Sequence, residues 1–129
     1  MQRIYPTEAT DRRLIKLIRL AESQPHYGVK DLAAAINLSP SRVEDMFKRE
    51  TGWQIGQYLL TLRLGKAARL LESTEMRVKE ITFAVGYEHP SSFVRAFRRT
   101  YATSPGGYRK MQSWLAKSQS VRNEPIKSE

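Results

Sequence analysis

Between Ala84 and Arg109 the chain reads AVGYEHPSSFVRAFRRTYATSPGGYR, and from Pro90 on its chemically capable side chains are hydroxyls and guanidiniums. Read as a helix, this stretch turns Phe93, Ala96 and Phe97 inward at i, i+3 and i+4. Ser91, Ser92, Val94, Arg95 and Arg98 then share the outer side, with Ser91 one turn from Arg95. An arginine there can grip guanine O6 and N7 with two donors, a serine can serve a base or a phosphate, and Val94 can touch a thymine methyl. Pro90 presets the first turn, and the unpaired amides at that helix start can meet a phosphate. A solvated basic face is the bland alternative, and for Arg98 and Arg99 the two readings are equally good.

No other constellation competes with this one. His26 and His89 fall in loops or caps far apart in sequence, and His89 takes a helix N-cap position. Glu44 and Asp45 are adjacent, so on a helix they do not converge as an acid–base pair. The PGG at 105–107 reads as a helix start and turn, not as a phosphate loop. With no cysteine there is no disulfide, thiolate nucleophile or cysteine zinc site. The residues imply no enzyme, no cofactor and no metal.

The charge balance points the same way. Twenty-two Lys and Arg against 13 Asp and Glu give +9 on 129 residues, with an isoelectric point near 10.1. Such a balance favours a polyanion partner, nucleic acid or an anionic membrane. A membrane is disfavoured because every apolar stripe is needed to close a core, and the longest apolar run, LAAAI, is far short of the ~18–20 residues of a span. The N-terminus has no uninterrupted apolar stretch and so does not read as a secretory signal. A cytoplasmic location is the expectation.

The elements that must carry these groups are helical almost throughout, with no convincing period-two stretch. Thr10 can cap a first helix with Leu14, Leu17, Ile18 and Ala21 on one stripe. VKDLAAAI makes a short second helix, ended by Asn37, a residue that tolerates the left-handed conformation. A third starts at Ser39 and Pro40, buries Val43, Met46 and Phe47, and ends at Gly52. The longest periodic segment, 53–72, carries Ile55, Leu59, Leu62 and Leu70. After a break, VKEITFAV stops at Gly86, the arginine-rich helix follows, and a final short helix starts at Ser104-Pro105 and carries Tyr108. Residues 1–9 and 113–129 read as tails.

Shifted by about 50 residues, the chain matches itself. Asp31, Leu32, Ala35 and Ile36 align with Glu80, Ile81, Ala84 and Val85; one insertion later Val43, Phe47, Lys48, Arg49 and Tyr58 align with Phe93, Phe97, Arg98, Arg99 and Tyr108. Each unit is a short helix, a tight turn and a second helix, the helix-turn-helix layout. The first unit presents Ser41, Arg42, Glu44 and Asp45 on its outer face, with Asp45 where the second unit has Arg95. Asp45 can repel phosphates, accept from cytosine N4, or pair with Arg42 or Arg49 as a structural group; the sequence leaves these open.

VKEITFAVGYEHPSSFVRAFRRTYATSPGGYRKM resembles the signature of the AraC/XylS family of bacterial transcription regulators, and DLAAAINLSPSRVEDMFKRETGWQIGQYLLTLRLGKAARLL resembles the first half of the same DNA-binding domain. The G-Y turn, F-x-R-x-F and S-P-x-x-Y-R elements occur in order, and the likeness covers roughly residues 10–112. It implies an all-α fold of seven helices, with two helix-turn-helix units joined by a long linker helix. It also implies monomeric binding to an asymmetric double-stranded promoter site, and contact with RNA polymerase. Many members carry a ligand-sensing domain, for which 129 residues leave no room, so the chain is expected to be either a stand-alone regulator or a piece of a longer one.

The expected organisation is a first unit over 10–52, a linker helix over 53–72 and a second unit over 73–112. The linker's roughly 20 residues give about 30 Å, against about 34 Å between successive major-groove faces. The residues expected at DNA are Ser41, Arg42, Asp45 and Lys48 in the first unit, and Pro90, Ser91, Ser92, Val94, Arg95 and Arg98 in the second. On the linker, Arg63 is read as structural or surface. The acidic pair Glu44/Asp45 leaves room for the alternative of a module that mainly binds protein.

Overall fold

Breaks at Gly, Pro and capping residues divide the described residues into seven helices. The computed structural model describes residues 11–122, so the expected tail 1–9 and the cap at Thr10 lie outside the described residues. The helices are α1 Arg12–Ser23, α2 Val29–Ala35, α3 Pro40–Thr51, α4 Ile55–Ser73, α5 Val78–Ala84, α6 Pro90–Tyr101 and α7 Pro105–Arg122. Among the described residues there is no strand. Asp11 is the cap of α1: its carboxylate accepts from the Arg13 amide at 2.8 Å and pairs with the Arg13 guanidinium at 2.8 Å.

The internal repeat is realised atom by atom. Asp31 and Glu80 each reach back to the N-cap amide before their own helix, accepting from Gly28 at 3.0 Å and Arg77 at 3.3 Å. Leu38 N–H donates to Ala33 C=O as Tyr87 N–H donates to Thr82 C=O. Asn37 at φ 58° and Gly86 at φ 97° take the left-handed turn between the helices of each unit. Pro40 and Pro90 open two helices of equal length, and Gly52 and Ala102 end them in the left-handed conformation. Phe47 meets Tyr58 at 5.1 Å between ring centroids, and Phe97 meets Tyr108 at 5.5 Å.

Two separate cores follow. One gathers Leu14, Leu17, Leu32, Val43 and Phe47; the other gathers Ile81, Val85, Phe93 and Phe97. The linker α4 serves both. Ile55 and Leu59 enter the first core, whereas Leu64, Ala67, Ala68 and Leu71 enter the second. At 100° per residue, Ile55 and Leu64 are about half a turn apart around the axis, so the two cores lie against opposite sides of α4. The single stripe expected from the sequence is therefore two; Leu62 and Leu70 are only half-buried.

The C-terminal segment differs from its expected form. α7 is a helix through Arg122 rather than a short helix followed by a tail from 113. SWLAKSQ contains no Gly or Pro, and Leu, Ala, Lys and Gln favour the helix. Its anchor lies in its first turns: Arg109 donates to the Leu71 and Thr74 carbonyls at 3.2 and 3.1 Å. Tyr108 O–H donates to Glu72 Oε1 at 2.8 Å. Met111, Trp114 and Leu115 beyond that anchor are exposed.

Candidate nucleic-acid interface

α6 is held by Phe93 and Phe97, both completely buried, so its opposite side is fixed in direction. Pro90, Ser91, Arg95 and Arg98 are exposed on that side, and Ser92 is half-buried at its edge. Val94 is half-buried against the second core, so much of the methyl surface expected at DNA is spent on packing. His89 is the N-cap, but its side chain caps nothing, and the first amides of α6 have no side-chain partner. The outer face of α6 thus offers arginine donors, serine hydroxyls and free amides, with no acidic residue among its twelve.

α3 is held in the same way by Val43, Met46 and Phe47. Ser41, Arg42, Asp45 and Lys48 are all exposed. Here Ser39 Oγ accepts from the Arg42 amide at 3.2 Å, so the helix start is already partly satisfied. Arg42, Lys48 and Arg49 are matched on this helix by Glu44, Asp45 and Glu50. Among the described residues the one ion pair is Asp11–Arg13, so Asp45 is not paired with Arg42 or Arg49. It lines a hollow with Arg13, Arg42 and Arg49. Arg13 has no signal in the sequence for this placement: it comes from α1, and only the packing of α1 on the first core brings it there. Arg49 was visible as the counterpart of Arg99.

Elsewhere the described residues assemble no group of three or more His, Asp or Glu side chains able to hold a metal ion. No helix among them is long and apolar enough to cross a membrane. His26 is exposed in the α1–α2 turn, far in sequence from His89.

Two equivalent short helices, each held by an aromatic core and each turning a polar face outward, are the arrangement of a double helix-turn-helix. The helix-turn-helix domain family matches residues 32–111. The chain belongs to the AraC/XylS helix-turn-helix family. These are DNA-binding transcription regulators and not enzymes. The chain is 34% identical over 102 residues to the HTH-type transcriptional regulator MtrA of Neisseria gonorrhoeae, covering 78% of this chain and 34% of MtrA. It is 32% identical over 98 residues to the regulator CdhR of Pseudomonas aeruginosa, covering 74% and 29%. The chain therefore spans about a third of the length of these curated relatives. Among solved structures, the DNA-binding domain of the global transcriptional factor AdpA in complex with a target DNA superposes with a TM-score of 0.73 at 30% identity. That match covers 78% of this chain and 93% of that one. The C-terminal domain of AraT, a response regulator from Geobacillus stearothermophilus, gives 0.75 at 28% identity over 81% and 88%.

Proposed function

We propose that this chain binds an asymmetric double-stranded promoter site as a monomer, with α3 and α6 entering successive major grooves on one side of the duplex. The observation that carries the reading is the repeated unit: two reading helices of equal length, each opened by a proline, preceded by the same left-handed turn and packed alike, on one linker. α4 has 19 residues, about 28 Å at ~1.5 Å each, against a groove repeat of about 34 Å. A bound site would therefore be bent towards the protein, at a cost that depends on its sequence. Ser91, Ser92 and Arg95 read bases, Arg98 and the free amides of α6 hold phosphate, and Arg42, Ser41 and Lys48 add mainly backbone contacts. RNA polymerase, which the family resemblance implies as a partner, would then meet a surface left free by DNA.

Footprinting on a selected promoter fragment tests this. Two protected segments about 10 bp apart on one face, without a palindrome, are expected. A palindromic dimer footprint contradicts the reading. The balanced charges of α3 favour a second reading, a module that mainly binds protein; absence of protection together with salt-insensitive binding would select it.

A further inference from the structure

The two reading helices must be held at one distance, and α4 alone is a single rod between two cores. A side chain at its middle holds the turn of the first unit against which the turn of the second unit packs. Arg63 is half-buried; its Nε donates to the Pro25 carbonyl at 3.1 Å and its Nη2 to the Tyr27 carbonyl at 3.1 Å. Both carbonyls belong to the turn between α1 and α2, in the first unit. The same Pro25 carbonyl lies against Gly86, the turn residue of the second unit: a Cβ on Gly86 would collide with it and would sit 3.4 Å from Arg63 Nε. Tyr87, the next residue, is also near enough for the Arg63 charge to oppose the upward push that burial gives its phenol. The α1–α2 turn, the middle of the linker and the turn of the second unit therefore meet at one guanidinium.

We propose that Arg63 is a positioning residue that fixes the distance and angle between α3 and α6, and so sets which spacing of two DNA segments the protein accepts. A guanidinium can do this because its donors form a rigid planar fork that satisfies two fixed carbonyls at once. A lysine ammonium is a point charge on a flexible stem and holds one carbonyl at a time. With the fork removed, the Pro25 and Tyr27 carbonyls lose their partner, and the α1–α2 turn against which Gly86 packs is no longer held to α4. The inference rests on the reading that both units touch DNA; the latch itself is a property of the free protein.

The chain has no cysteine, so spin labels can be placed uniquely at Glu50→Cys and Thr100→Cys, exposed equivalent positions on α3 and α6. In free protein with Arg63 intact one narrow label-to-label distance is expected; Arg63→Ala should broaden or shift it, with Arg63→Lys in between. On duplexes whose two segments are moved apart or together by one base pair, the wild type should lose about tenfold or more in affinity and Arg63→Ala only about threefold or less. Duplexes carrying a single segment should bind both proteins alike. If Arg63→Ala does not fold, Arg63→Lys takes its place in both measurements under the same criteria. An unchanged distance distribution, or an unchanged spacing penalty, overturns the latch. A narrow wild-type distance with no dependence on the second segment instead contradicts the two-unit reading, and the distance measurement still decides the latch.

Discussion

The two helix-turn-helix units share a scaffold and differ in what they present. Their turns, prolines, buried phenylalanines and tyrosine lids are interchangeable in position. Their outer faces are not. α6 carries Arg95, Arg98 and Arg99 with no acid, whereas α3 sets Glu44, Asp45 and Glu50 against Arg42, Lys48 and Arg49. The helix starts differ too: α3 is capped by Ser39, while α6 leaves its first amides without a side-chain partner. The packing residues fix where a helix points, and the outward residues fix what it can read.

The shared scaffold is the easiest half of this comparison to break. Phe47 and Phe97 are both completely buried. Phe47→Ala and Phe97→Ala should therefore each cost about 3–5 kcal/mol in thermal or denaturant unfolding. A near-native melt for only one of them would show that the units are not equivalent in packing. The outer faces come next. Arg95→Ala should cost about 1–3 kcal/mol on the selected site and relax preference at one base pair. If it weakens random duplexes equally, Arg95 holds only phosphate and α6 loses its claim to base reading.

The helix ends sharpen the comparison on a smaller scale. Gly52 and Ala102 both adopt positive φ, 80° and 60°, but only glycine does so without steric cost. Ala102→Gly should stabilise the protein by about 0.5–1 kcal/mol and Gly52→Ala should destabilise it by about as much, measured as unfolding midpoints. The tyrosine lids respond to pH. Tyr58 is pushed up to about 12 by burial and then by Glu22. Tyr108 is pushed up to about 12 by burial and then by its hydrogen bond to Glu72. A phenol raised in the folded state contributes stability fully present below its unfolded value near 10 and lost as pH rises towards 12. The melting temperature should therefore fall between pH 10 and 12 for the wild type, and the fall should be smaller in Tyr58→Phe and Tyr108→Phe.

Much of this fold is written locally. The phase of Phe93, Ala96 and Phe97, the paired prolines and the left-handed turns at Asn37 and Gly86 depend on neighbours within a few residues. The candidate face of α6 follows directly, because a face opposite a buried triplet has only one place to be. What the sequence hides depends on distant partners. α4 looks like one weak stripe because Ile55–Leu59 and Leu64–Leu71 serve different cores on opposite sides. Arg63 reads as an ordinary linker arginine because its carbonyl partners lie 36 and 38 residues away. Arg13 reaches the α3 hollow only through the packing of α1. The part of α7 beyond Lys110 resembles a tail because its apolar residues, Met111, Trp114 and Leu115, are exposed and join neither core among the described residues.

In the proposed division of labour the second unit dominates specificity while the first mainly holds backbone, and Asp45 is where the two units differ most directly. It stands in α3 where Arg95 stands in α6, exposed and without an ion-pair partner among the described residues. A carboxylate so placed repels phosphate, more strongly at low salt. The deciding measurement is the affinity of Asp45→Ala for a full set of single-base variants of the selected site. Tighter binding to every variant alike, most visible at low salt, with base preferences unchanged, is the result predicted. Weaker binding to the selected site, with a cytosine preference lost at one position of the first segment, would show that Asp45 accepts from cytosine N4 and that the first unit reads sequence as well.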